Sequence, residues 1–128
     1  MANAIQDSAD LRIAVADHVG NRELGDVMPR LIRLAEMRIG SFLRSSERDK
    51  TTFSSLADSL PSTNWVLEEY PHAYLYAVSL EAAKHLKDAE LVMALETLLG
   101  KAFEEMRLDD PDSRWHGQVV RLRGMTTP

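Results

Sequence analysis

Four histidines, twenty carboxylates and six glycines are the residues from which a reactive site in this chain would be built. A metal held on a helix needs ligands one turn apart, as in a histidine pair at a spacing of four. His18, His72, His85 and His116 stand too far apart in sequence to form such a pair. His85 falls near the end of an expected helix, where positive charge is favoured, and reads as a capping or solvated residue. The carboxylate neighbours Glu68-Glu69 and Glu104-Glu105 diverge by about 100° on a helix, so they read as solvated faces rather than as an acid-base pair. The glycines at 20, 25, 40, 100, 117 and 124 never assemble a GxGxxG or GxxxxGK[ST] loop, which leaves a nucleotide without its phosphate cradle. Cysteine is absent, so disulfides, thiolate ligands and thiol nucleophiles are excluded. The reading is a non-enzymatic protein with no catalytic, cofactor-binding or metal-ligating residues.

The elements expected to carry these residues are helices. At 128 residues and 45% hydrophobic content, the chain has material for one core, and a net charge of -5 with 27% charged residues describes an ordinary soluble protein. Asp7 or Ser8 caps a first helix running to Val19, with Leu11, Val15 and Val19 in line and Gly20-Asn21 ending it. A second starts near Asp26, admits Pro29 in its first turn and reaches Leu43 or Arg44. Its apolar face is read as Leu31, Leu34, Ala35, Ile39 and Phe42, and its other face as Arg30, Arg33 and Arg38, interrupted by Glu36. Residues 45–62 lose all periodicity and read mostly as loop; the stretch 53–60 fits one helical turn or a short strand equally well.

Thr63 or Asn64 caps a short helix to Glu69, and Tyr70-Pro71 opens a helix to Lys87 whose wide apolar arc marks it as central. Asp88 caps the last helix, in which Leu91, Leu95, Leu98, Leu99, Ala102, Phe103 and Met106 recur at three and four residues, with Gly100 as its weak point. Asp109-Asp110-Pro111 stops it. The expected fold is all-α: a small bundle of four to five helices over residues 1–112, followed by an extended C-terminal arm over residues 113–128.

Charge is uneven along this plan. Residues 51–113 hold 4 basic and 12 acidic side chains, whereas the tail from 114 holds Arg114, Arg121 and Arg123 and no acid. Such a tail either docks on an acidic surface or simply keeps a terminus solvated. Trp115, outside any amphipathic repeat, is suited to anchor an interface. Trp65, Tyr70, Tyr74 and Tyr76 gather around the Pro71 break and read as packing between the short helix and its neighbour. The second-helix arginines suit either solvent or phosphates, which keeps a small helical DNA-binding regulator as the alternative function. The N-terminus lacks the basic and apolar regions of a secretory signal, and no stretch approaches the roughly 18 apolar residues of a membrane span, so cytosolic synthesis without membrane contact is expected.

The run from Ser62 through Asn64-Trp65-Val66-Leu67, Tyr70-Pro71 and Leu75-Tyr76-Ala77, continuing through Leu80-Glu81-Ala82-Ala83 and Leu86-Lys87-Asp88, resembles a signature of the head-tail adaptor (connector) proteins of tailed bacteriophages. The segment from Pro29 to Arg44, with Leu34-Ala35-Glu36 and Arg38-Ile39, is similar to their second helix, and the Arg114-Trp115 tail to their C-terminal arm. Between Arg44 and Ser62 the chain departs from the pattern, because relatives carry a longer, strand-rich insertion there.

The resemblance implies a structural subunit of a dodecameric ring beneath the portal protein, placed in the virion at the head-tail interface after synthesis in the host bacterium. It also implies a stopper or other tail-proximal connector as the second partner, and genome DNA passing through the lumen without specific binding. Asn64, Trp65, Tyr70, Pro71, Leu75 and Tyr76 are then the structural signature. Arg114, Trp115, Val119, Val120, Arg121, Leu122 and Arg123 form an arm that meets the portal or a neighbouring subunit. An acidic lumen, lined in part from residues 51–113, would keep DNA from adhering to the wall.

Overall fold

Helix boundaries follow local chemistry closely. The Asp7 carboxylate accepts from the Asp10 amide at 3.0 Å and starts α1 (Ser8–Val19), which Gly20 ends in the left-handed region at φ 71°. A side chain at that angle meets its own backbone, which is why glycine occupies it. α2 (Met28–Ser45) begins two residues later than the sequence suggests, with Pro29 in its first turn. Asn64 caps α3 (Trp65–Glu69) by accepting from the Leu67 amide at 2.9 Å. α4 (Pro71–His85) ends before Lys87, which sits at φ 58°, and Asp88 then caps α5 (Ala89–Asp109) through the Leu91 amide at 3.2 Å.

The structure, a computed structural model, describes residues 5–20, 23–46, 51–58 and 61–109. It is an all-helical bundle of five helices, with no strand among the described residues. α4 is the central element: α1, α2, α3 and α5 all pack on it, and eight of its residues are buried. Leu11 and Val15 from α1, Leu31, Ile32, Ile39 and Leu43 from α2, Leu80 from α4, and Leu95 and Met106 from α5 fill one core. Replacing any of the fully buried leucines by alanine would cost about 2–5 kcal/mol, a large part of a typical domain stability.

Two expectations for α2 are corrected. Leu34, placed by the sequence on the core face, is 41% exposed, because the buried stripe runs through Met28, Leu31, Ile32, Ala35, Ile39 and Leu43 and leaves Leu34 beyond its edge. Glu36, read as interrupting the arginine face, lies at the boundary between that face and the core, one turn from Arg33, and turns inward to only 9% exposure. Phe42 is half-buried and stacks on Phe103 of α5 with ring centroids 4.4 Å apart.

The aperiodic segment is loop where described: residues 51–58 form neither helix nor strand, although Leu56 and Ala57 enter the core. The arm, including Arg114, Trp115, Val119, Val120, Arg121, Leu122 and Arg123, lies outside the described residues.

Candidate functional site: an outward face on the second helix

A buried carboxylate organises one side of the bundle. Glu36 accepts three hydrogen bonds: from the Ser55 hydroxyl at 2.7 Å on Oε1, and from the Leu56 amide at 2.7 Å and the Tyr74 hydroxyl at 2.6 Å on Oε2. The Tyr74 oxygen in turn accepts from Asn64 Nδ2 at 3.0 Å, and that amide also donates to the Ser54 carbonyl at 2.7 Å. Every polar group in this chain of contacts has a partner, the condition under which a buried network specifies a structure rather than weakens it. Burial is the main reason the Tyr74 phenol is raised well above its ordinary pKa. Its hydrogen bond to Glu36 and that residue's charge add to the effect, and the Asn64 contact partly offsets it. Tyr74 therefore stays protonated and serves as a donor.

The same logic fixes the rest of the irregular segment. Trp65 Nε1 donates to the Thr52 carbonyl at 2.7 Å, Arg12 donates to the Ala57 carbonyl at 3.0 Å, and Arg33 pairs with Asp58. Ser8 and Ser62 exchange backbone and side-chain hydrogen bonds, including Ser8 N to Ser62 O at 2.7 Å. Backbone groups that no helix or sheet satisfies are thus taken up by side chains from α1, α2 and the α3 cap.

The sequence signature divides among these tasks. Asn64 is both a helix cap and a bridge between the loop and Tyr74. Trp65 is half-buried over the loop it binds; Tyr70 joins α3 to α4, with its amide donating to the Val66 carbonyl at 2.7 Å, and Pro71 opens α4. Leu75 packs against the core, and Tyr76 lies between His18 and His72, with ring centroids 5.9 Å and 6.1 Å away. Of the aromatic group, Tyr74 is the one fully buried member, and its partner is Phe53, edge-on at 6.4 Å, rather than the other tyrosines. Sequence reasoning missed the pairing of Glu36 with Tyr74; the two stand 38 residues apart, and no local spacing signals their meeting.

Outside this framework, α2 presents a face of distinctive composition. Arg30, Arg33, Leu34, Met37, Ser41 and Arg44 are all exposed, with Met37 at 69%, and no carboxylate is exposed on the helix because its single acid is buried beneath. Arg38, at the edge, reaches Glu81 of α4 at 3.3 Å. Met37 is shared by two shallow hollows. One runs between α2 and the loop, where Arg33, Arg44, Thr52 and Phe53 line it together with Glu36 and Asp58; the other runs toward α4 and α5, where Leu34, Phe42, Lys84 and Phe103 line it together with the Arg38–Glu81 pair. A cationic ridge with apolar knobs and a groove on each side has the form of a helix-docking surface.

Among the described residues no group of three or more His, Asp or Glu converges as a metal site, and no helix is long and apolar enough to cross a membrane. No family model, curated protein or solved structure matches the chain.

Proposed function

We propose that this chain is a structural head-tail adaptor of a tailed bacteriophage: a ring subunit seated below the portal, extending the DNA channel and linking the head to a stopper or other tail-proximal component. The signature from Asn64 to Tyr76 carries the resemblance. The observation that supports the reading physically is the α2 face, where exposed Leu34 and Met37 stand among arginines on a rigidly supported helix. Large apolar side chains left in solvent beside cationic ones suit protein partners better than phosphates, and adjoining grooves supply shape. In this reading the protein turns over no substrate and its work is geometric.

Negative-stain imaging of the full chain, alone and mixed with the cognate portal, tests it. The expected result is an added ring density on the portal's tail-side face, absent when either component is omitted. A portal that remains bare at saturating concentrations would overturn the reading, as would a particle lacking this polypeptide that retained its genome and joined its tail.

One observation favours a second reading. Arg30, Arg33, Arg38 and Arg44 make a run of cations on a helix with no exposed acid, the pattern of a phosphate-contacting helix in a DNA-binding regulator. Fluorescence anisotropy separates the two. The regulator binds duplex DNA with affinity falling steeply in salt, whereas the adaptor shows negligible binding to free DNA.

A further inference from the structure

The exposed surface of α5 has the opposite character to that of α2. Glu90, Glu96, Glu104 and Glu105 are exposed on it against Lys101 and Arg107, and its two large exposed apolar residues are Met93 (69%) and Leu108 (61%). Each knob follows a carboxylate by about one turn: Met93 follows Glu90 by three residues and Leu108 follows Glu104 by four. On α2 the same grammar is written with cations, since Leu34 follows Arg30, and Met37 follows Arg33, by four residues. Residues three and four apart share a helix face, so each pair forms one mixed charged and apolar patch.

Spacing also agrees between the two faces. Arg30 and Arg44 bracket the α2 knobs fourteen residues apart, and Glu90 and Glu104 are fourteen apart on α5. At 1.5 Å rise per residue both separations are about 21 Å. A step of fourteen residues also returns to within about 40° of the same direction, so both members of each pair point outward together. A helix laid along α2 therefore brings carboxylates to both arginines at once.

Neither arginine has an ion-pair partner among the described residues. Glu104 is held only by Arg107 one turn away, an exposed pair of the kind that contributes little and exchanges readily. The two faces share no residue, although α2 and α5 meet at the Phe42–Phe103 stack.

We infer that the α2 face docks on the α5 face of a second copy of this chain, placing Arg30 and Arg44 against Glu90 and Glu104 around the knobs Leu34, Met37 and Met93. Two different, complementary faces on one subunit make a heterologous contact, which propagates from copy to copy and closes into a ring when its rotation permits. The inference rests on the proposed ring for its closure, and it assigns α5 carboxylates to the subunit contact rather than to the lumen.

Charge reversal tests it on the full chain. In Arg30→Glu with Arg44→Glu, both faces become acidic; in Glu90→Lys with Glu104→Lys, both become basic. All four residues are exposed, and unchanged far-UV circular dichroism and melting of each variant checks that the fold is kept. By sedimentation velocity at low salt, the wild type shows concentration-dependent association, weakening as salt is raised. Each double variant alone loses association by at least about a hundredfold, because like charges oppose across the contact. An equimolar mixture of the two variants recovers it, because every contact again joins opposite charges. Three results would each overturn the inference: a monomeric wild type up to about 100 µM, a variant that associates as the wild type does, or a mixture that stays monomeric. If the mixture recovers association yet the chain never joins a portal, the adaptor reading falls and the α2–α5 contact stands.

Discussion

Two single substitutions remove one buried hydroxyl each from the same helix, and the structure assigns them opposite consequences. Tyr74→Phe deletes an oxygen that donates to the Glu36 carboxylate at 2.6 Å and accepts from Asn64 Nδ2 at 3.0 Å. The loss of a hydrogen bond to a charged group costs about 1.5–3 kcal/mol, and the stranded Asn64 N–H adds about 1 kcal/mol. The ring itself is retained, so no cavity term enters, and the expected destabilisation is about 2–4 kcal/mol, a fall in Tm of roughly 8–16 °C. Ser79→Ala deletes a buried hydroxyl that has no hydrogen-bond partner, so it is expected to leave stability unchanged or raise it by up to about 1 kcal/mol. Urea unfolding followed at 222 nm measures both. A double-mutant cycle with Glu36→Gln should return a coupling of at least about 1 kcal/mol between positions 36 and 74. The reasoning is refuted if Tyr74→Phe costs less than about 0.5 kcal/mol, or if the two hydroxyl deletions prove indistinguishable.

The raised Tyr74 pKa sets an alkaline limit. Below the ordinary phenol value of about 10, both folded and unfolded states hold the proton and its contribution is complete; above it the unfolded chain loses the proton first, and stability falls by up to about 1.4 kcal/mol per pH unit. Chemical denaturation from pH 9 to 11 should show a slope that Tyr74→Phe makes shallower. Gly100 lies in the interior of α5 with nothing within 4 Å of an added Cβ, so Gly100→Ala should raise stability by about 0.5–1 kcal/mol in urea unfolding. Lys87 holds φ 58° between α4 and α5, and Lys87→Gly should relieve about 1 kcal/mol of left-handed strain, visible as a higher Tm. Met37→Glu should leave the urea midpoint within about 0.5 kcal/mol in free energy of the wild type while abolishing self-association by sedimentation, since its side chain touches solvent rather than the core.

How far the fold could be read from sequence depended on the range of the interactions that decide each part. Asp7, Asn64 and Asp88 act on amides three residues away, and Gly20 and Pro71 act through their own backbone angles, so these boundaries were legible. The strong apolar repeat of α5 placed Leu95, Leu99, Ala102 and Met106 correctly in the core. Residues 51–58 were opaque because the conformation there is dictated by Arg12, Glu36 and Asn64, which lie between ten and forty-five residues away. Leu34 was misplaced for a related reason. Periodicity finds an apolar arc but does not reveal that Glu36, satisfied from the loop, belongs inside it and shifts the arc's centre away from Leu34.

That displacement connects stability to the proposed docking. Neighbouring positions on a helix point about 100° apart, and here Glu36 turns inward to hold the loop while Met37 turns outward between two hollows. Packing Glu36 inward leaves α2 with no exposed carboxylate of its own, so one acid both fixes the loop wall of the groove and leaves Arg30 and Arg44 without an ion-pair partner among the described residues, while Arg33 pairs with Asp58 from the loop. Had an exposed acid stood beside Arg30 and Arg44 as Asp58 stands beside Arg33, the face would have been self-compensated and indifferent to an acidic partner. Had the loop been held only by its own backbone, the groove would have lacked a defined wall and docking would have carried the entropy of ordering it. Perturbing Glu36 should therefore alter folding and association together, whereas perturbing Met37 should alter association alone. That asymmetry follows from their positions on one turn of helix.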